Sequence, residues 1–374
     1  MTPLPERPLV PLPAQPADVP WPTDAWTEAD PAEAGADAAR LGDLLDELVS
    51  GERHPALGLT HAAAVVAGGR LVAERYGRQR VQDLRSFDAE PPLEDVAPEA
   101  PLLSWSMAKS ITNLAVGVAV GDGLIDVAAP VEDPIWLAEP DDPRAAITWE
   151  DLLAMRPGLA WTEEYYELDA DALPDVVTML FGAGAADMGA FAASMPLRAT
   201  PGSPEAYVYS SGTTNVLARN LQRVLGRHGD AMAAWLHERI FDPIGMRSAT
   251  CRFDDAGTFV GSSYAYADLR DWCRFGLLAI RGGRWEDQPI VPEGWVDWSR
   301  RARSADDPGL FHAAQWWAWD RADGAFGAHG FEGQRIIAFP TRDVVVLRFG
   351  HMGADDGPAL NAHLAAMAEC FPEG

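Results

Sequence analysis

Lysine is almost absent from this chain. Of its 29 basic residues 28 are arginine, and the one lysine is Lys109. Positive charge is scarce altogether: 56 acidic residues leave a net charge of −27 over 374 residues. A surface this acidic is repelled by the phosphate backbone, which argues against a nucleic-acid binder, and by anionic headgroups, which argues against a membrane partner. Cysteine is sparse as well. Cys251, Cys273 and Cys370 are too few and too scattered for a disulfide framework or a zinc site. They fit a reducing cytosol, so a cytoplasmic protein is expected. No run of about 18 apolar residues is available to span a bilayer. The opening MTPLPERPLVPLPAQP lacks the charged and apolar regions of a signal peptide.

What is present fits a folded globule with a sizeable core, at 48% hydrophobic and 23% charged residues. Residues 1–34, rich in Pro, Ala and Asp, read as an extended arm carrying Trp21 and Trp26. Leu41, Leu44, Leu45 and Leu48 recur at helical spacing, and Gly51 stands just past the end. AAAVVAGGRLVAERYG reads as two strands joined at Gly68-Gly69. The polar stretch from Arg78 to Pro101 reads as a loop. SMAKSITNLAVGVAVGDG is an apolar helix, buried on most sides. Helical patterns fill 147–250, one of them opened by Thr148 as N-cap with Asp151 three residues on, and ADLRDWCRFGLLAI follows as another helix. The strands RIIAFP and DVVVLRFG, rich in branched residues, and a last helix, ALNAHLAAMAECF, complete the chain. The ends are expected to share one sheet: an α/β domain from 35–104 and 256–374, with a helical domain at 105–255 inserted into it.

The lone lysine lies three residues after Ser106, on the same face of a helix. A serine hydroxyl is a weak nucleophile that needs an adjacent base. A lysine held in an apolar site can be partly neutral, whereas arginine stays protonated. An idle charge inside an apolar helix would be expensive. The plainer alternative is a surface Ser–Lys pair. Tyr209-Ser210-Ser211 precedes another helix and, taken alone, is ordinary capping. Ala328-His329-Gly330-Phe331 precedes the strand RIIAFP, where a glycine permits close backbone approach.

In this order the three features resemble the penicillin-recognising serine enzymes: Ser-x-x-Lys, Tyr-x-Ser/Asn, then a glycine-bearing strand. The likeness is to the class C β-lactamase branch, which includes family VIII carboxylesterases and 6-aminohexanoate-dimer hydrolase, and it covers roughly residues 40–370. LLAMRPGLAWTEEYYE, AQWWAW and GFEGQ add to it. The resemblance implies a β-lactamase/transpeptidase-like α+β fold, with an antiparallel sheet flanked by helices. It implies Ser106 as the acylated nucleophile, Lys109 as proton acceptor and Tyr209 in the proton relay. The backbone N–H groups of Ser106 and Phe331 would form the oxyanion hole, Tyr165 would close over an amide substrate, and Trp316 or Trp317 would line the acyl pocket beside His329 and Gly330.

Two departures bear on substrate. Ala328-His329-Gly330 stands where penicillin-binding members have Lys-Thr-Gly, and Ser211 stands where they have asparagine. With no second lysine and −27 overall, an anionic antibiotic is a poor candidate. A small ester or linear amide is expected, with β-lactamase or D-amino-acid peptidase as the alternative, and a non-catalytic ligand-binding relative as the alternative outside enzymes. No G-x-S-x-G elbow occurs, and His54, His61, His228, His237, His312, His351 and His363 show no metal spacing. No metal or cofactor is therefore expected. Acidic pairs such as Asp141-Asp142 and Glu163-Glu164 read as solvated loop charge. A small-molecule substrate is the only partner expected; the oligomeric state is left open.

Overall fold

The computed structural model describes residues 4–5, 7–50, 55–80, 92–165 and 173–374. His54, Tyr166 and Glu167 lie outside them. Its centre is an eight-stranded antiparallel sheet built from both ends of the chain. The strands are β1 (Leu59–Ala67), β2 (Arg70–Tyr76), β3 (Ser304–Ala305), β4 (Leu310–His312), β5 (Trp317–Trp319), β6 (Phe326–Gly330), β7 (Gln334–Phe339) and β8 (Val344–His351), in the spatial order β3-β4-β5-β6-β7-β8-β1-β2. The principal helices are α1 (Ala38–Ser50), α2 (Ala108–Gly121), α3 (Ser211–Leu225), α4 (Leu269–Ile280) and α5 (Gly357–Ala368).

The strand sequences explain why the sheet has helices on both faces. Successive side chains of a strand point to opposite sides, and here both sides are apolar. In β1, Ala62, Ala64 and Val66 enter the core shared with α2 and α4, whereas Ala63, Val65 and Ala67 enter a second core closed by Leu41, Leu45 and Leu48 of α1 and by Leu360 and Leu364 of α5. β8 alternates likewise, with Val345 and Leu347 on the first side and Val344 and Val346 on the second. Each fully buried leucine on α1 contributes about 1.5–3 kcal/mol of burial.

Thr148 and Asp151 form a reciprocal capping box at the helix Trp149–Leu153. The arm runs beside β2, with Ala29 donating to the Leu71 carbonyl. Trp21 packs on Trp285 with ring centroids 4.9 Å apart, and Trp26 Nε1 donates to the Arg270 carbonyl. One element differs from expectation. The stretch read as a loop from Arg78 contains a small hairpin, Arg78–Arg80 paired with Leu93–Asp95. Strands of three residues, with Leu93 their one apolar side chain, are too short for an alternation to be read.

Candidate active site

Ser106 sits in a 3₁₀ turn, Trp105–Met107, that feeds directly into α2. Three residues per turn stack position i over i+3, which brings Lys109 alongside the hydroxyl. Trp105 enters the turn at φ 43°, a left-handed conformation that costs a non-glycine residue of order 1 kcal/mol or more and is characteristic of functional sites. Lys109 is 2% exposed. Its Nζ donates to Ser106 Oγ at 3.0 Å, to Ser211 Oγ at 2.9 Å and to the Ser262 carbonyl at 2.9 Å. These three acceptors match the three protons of an ammonium, yet all are neutral. Burial therefore lowers the lysine pKa to about 8, with Glu163 pulling it back up.

Tyr209 lies in the segment just before α3, and Ser210 caps that helix through the Thr213 N–H. The Tyr209 ring faces Lys109, with Nζ 5.0 Å from the ring centroid. Burial and the charge of Glu163 raise the Tyr209 phenol well above its usual value, against an opposing hydrogen-bond influence of Ser106. The phenol is thus neutral at ordinary pH and able to give a proton. It is Ser211, not the Tyr209 hydroxyl, that Lys109 bonds.

Glu163 joins the cluster and corrects its reading as solvated charge. Its carboxylate accepts from Trp161 Nε1 at 2.6 Å, Tyr165 hydroxyl at 2.8 Å, Ser211 N–H at 2.9 Å and Ser211 Oγ at 2.6 Å. Burial alternates over 161–165: Trp161, Glu163 and Tyr165 are buried or half-buried, while Thr162 and Glu164 are exposed. That Trp-x-Glu-x-Tyr alternation was the available signal. Asp142 is also engaged, capping a 3₁₀ turn and pairing with Arg144. Ser262 supplies its carbonyl to Lys109 from a stretch with no motif to mark it.

Ser106, Tyr165, Tyr209, Trp317, His329, Gly330 and Phe331 all line one cavity of about 280 Å³. Gly330 is required by proximity: a Cβ there would lie 2.3 Å from the Ser104 carbonyl oxygen. The end of β6 is thereby drawn against the turn that carries Ser106, and Phe331, the next residue, lines the same cavity as the nucleophile. Tyr165 packs on Phe331 at 4.7 Å. Trp317 tilts against Tyr209 at 5.4 Å and stacks on His329 at 5.6 Å. His329 Nε2 accepts from Trp319 Nε1 at 3.1 Å, and burial holds its pKa well below the ordinary value, so the ring is neutral. Trp316 does not reach the cavity. It is 1% exposed, stacks on Phe275 and donates to Asn113 Oδ1. Trp316 and Trp317 are adjacent in sequence, and their side chains point to opposite sides, one into the core and one toward the cavity. No group of three or more metal-ligating side chains occurs among the described residues, nor any helix long and apolar enough to cross a membrane.

A mixed sheet-and-helix body holding a buried Ser-x-x-Lys, an adjacent tyrosine and a glycine-bearing strand edge defines a β-lactamase/transpeptidase-like fold. Residues 45–364 match the family described as Beta-lactamase, and the chain belongs to that family. It is 26% identical over 348 residues to the 6-aminohexanoate-dimer hydrolase of Paenarthrobacter ureafaciens, covering 87% of this chain and 81% of that protein. Among solved structures it is similar to a Bacillus anthracis protein provisionally named a 6-aminohexanoate-dimer hydrolase, with TM-score 0.70, 21% identity and coverage of 96% and 90%. A family VIII carboxylesterase matches with TM-score 0.64, 16% identity and coverage of 90% and 99%.

Proposed function

We propose that the protein is a serine hydrolase that cleaves a small ester or linear amide through an acyl-enzyme. The observation that carries this reading is the buried Lys109, hydrogen-bonded to Ser106 and held near pKa 8. A group with that affinity for protons is suited to general-base work near neutrality. As the free amine, Lys109 takes the Ser106 proton while Oγ attacks the substrate carbonyl carbon. The carbonyl oxygen becomes an oxyanion stabilised by the backbone N–H groups of Ser106 and Phe331. The tetrahedral intermediate collapses as a proton passes by way of Tyr209 to the departing oxygen or nitrogen. Water then attacks the acyl-enzyme with the same groups in reversed roles and releases the acid. Tyr165 and Trp317 bound the substrate-binding cavity, and neutral His329 packs beneath Trp317.

The named relative supports a linear amide of the 6-aminohexanoate type, and the carboxylesterase supports an ester. Ala328-His329-Gly330 in place of Lys-Thr-Gly disfavours a β-lactam. The test is covalent labelling with a fluorophosphonate, read by intact mass. One adduct is expected on the native protein and none on Ser106→Ala, with loss of 4-nitrophenyl ester hydrolysis in that variant. Equal hydrolysis by Ser106→Ala would falsify the reading. Lys109→Arg keeps the charge but cannot release a proton, and is expected to lose activity by at least about a hundredfold.

A further inference from the structure

Among the described residues five arginines are buried: Arg274, Arg281, Arg300, Arg335 and Arg348. Three are neutralised by carboxylates, Arg274 by Asp271, Arg281 by Asp343 and Arg300 by Asp297. Arg348 has no such partner among the described residues, but every guanidinium nitrogen is used: Nε donates to Thr60, Nη1 to the Glu332 and Gly333 carbonyls, and Nη2 to the Leu57 and Leu59 carbonyls. Its place is structural.

Arg335 fits neither pattern. It is 8% exposed. Nε donates to Asn361 Oδ1 at 3.0 Å, and Nη1 to the Gly330 and Gln334 carbonyls at 3.0 Å each. Nη2, with two N–H bonds, has no acceptor among the described residues, and no described carboxylate pairs with the side chain. The residue also lines the cavity that holds Ser106, and among the described residues it is the one arginine or lysine that does so. Its neighbours worsen its position. Across the sheet it lies opposite the cationic Arg348 on β8 and opposite the neutral His329 on β6, and neither can offset its charge. A buried cation without a counter-charge is costly, and like charges directly opposite one another in a sheet add to that cost. No described residue of the scaffold compensates it, but an anion entering the cavity would.

We propose that Arg335 is a substrate-recognition residue whose guanidinium attracts a carboxylate carried by the ester or amide cleaved at Ser106. The inference rests on the hydrolase reading above and narrows its substrate class to carboxylate-bearing esters and amides. It reverses the expectation drawn from net charge, because a buried guanidinium acts through a lower dielectric than the exposed acids around it. Asp306 and Asp307, which also line the cavity, stand at its exposed rim, and Asp306 is occupied by the Tyr207 hydroxyl at 2.6 Å.

The test compares matched probes: mono-4-nitrophenyl glutarate against its methyl ester for the acyl side, and 4-acetoxybenzoate against 4-acetoxybenzamide for the leaving side. In at least one pair kcat/KM is expected to favour the carboxylate by about tenfold or more, the scale of a hydrogen bond to a charged group. In Arg335→Gln that preference is expected to fall to about one. A brace for the Gly330 carbonyl and nothing more would lower both members of a pair alike, and an unchanged ratio in the variant overturns the proposal. So does a native enzyme with no preference in either pair. If none of the probes turns over, the hydrolase reading is what has failed. Recognition is then read alone, by calorimetric titration of monomethyl glutarate into Ser106→Ala and into Ser106→Ala/Arg335→Gln. A dissociation constant at least about tenfold weaker in the double variant supports the anion site; equal constants overturn it.

Discussion

At the residue scale the decisive balance is between burial, which strips the proton from Lys109, and Glu163, which retains it. Glu163 does not touch the ammonium; it acts across Ser211, which accepts from Lys109 and donates to Glu163. This makes a pH profile diagnostic. The free amine is the competent base, and its fraction grows as pH rises. kcat/KM should therefore climb about tenfold per pH unit on the acid side and level off above about 8. Glu163→Gln removes the charge that raises the lysine pKa, so the midpoint should move down. The plateau should fall as well, since Ser211 and Tyr165 lose a charged acceptor. An upward or absent shift of the midpoint would show that Glu163 only fixes loop geometry.

At the element scale the site depends on β6 pressing against the turn before α2. Gly330→Ala puts a methyl group 2.3 Å from the Ser104 carbonyl oxygen, so the strand edge or the turn must retreat. A displacement near 1 Å at a reacting centre costs about a hundredfold in rate, and kcat/KM should fall by that order with only a small change in Tm. Leu45→Ala on α1, on the far face of the sheet, should behave oppositely. It should lose about 2–5 kcal/mol of stability in denaturant unfolding with kcat/KM per folded molecule unchanged. A Leu45→Ala variant that lost rate in proportion to stability would mean that the two sheet faces are mechanically coupled. The same contrast explains what could be read without a structure. Ser106 and Lys109 were legible because local helical spacing joins them, as were the β1–β2 hairpin at Gly68-Gly69 and the Thr148–Asp151 capping box. Glu163 was not, because the group it serves, Ser211, lies 48 residues away, and the short Trp-x-Glu-x-Tyr alternation that sets it apart from Glu164 marks an inward side without naming a partner. The core placement of Trp316 was hidden for the same reason, as only the paired strands decide which of two adjacent tryptophans faces in.

At the scale of the whole molecule, the net charge of −27 and the uncompensated Arg335 oppose one another. The first is long-ranged and carried largely by exposed acids, so salt screens it; the second is short-ranged and buried, so salt reaches it far less. An anionic substrate therefore approaches against the field of the molecule and is received at the end by a local attraction. Raising ionic strength from about 10 mM to about 150 mM shortens the screening length from about 30 Å to about 8 Å. Over that range kcat/KM for mono-4-nitrophenyl glutarate should rise, that for its neutral methyl ester should stay nearly level, and Arg335→Gln should keep the rise while losing the preference. A fall with salt for the anionic probe would carry the opposite meaning: the potential at the cavity mouth would already be attractive to anions, and the acidic excess would lie on surfaces too distant to reach it.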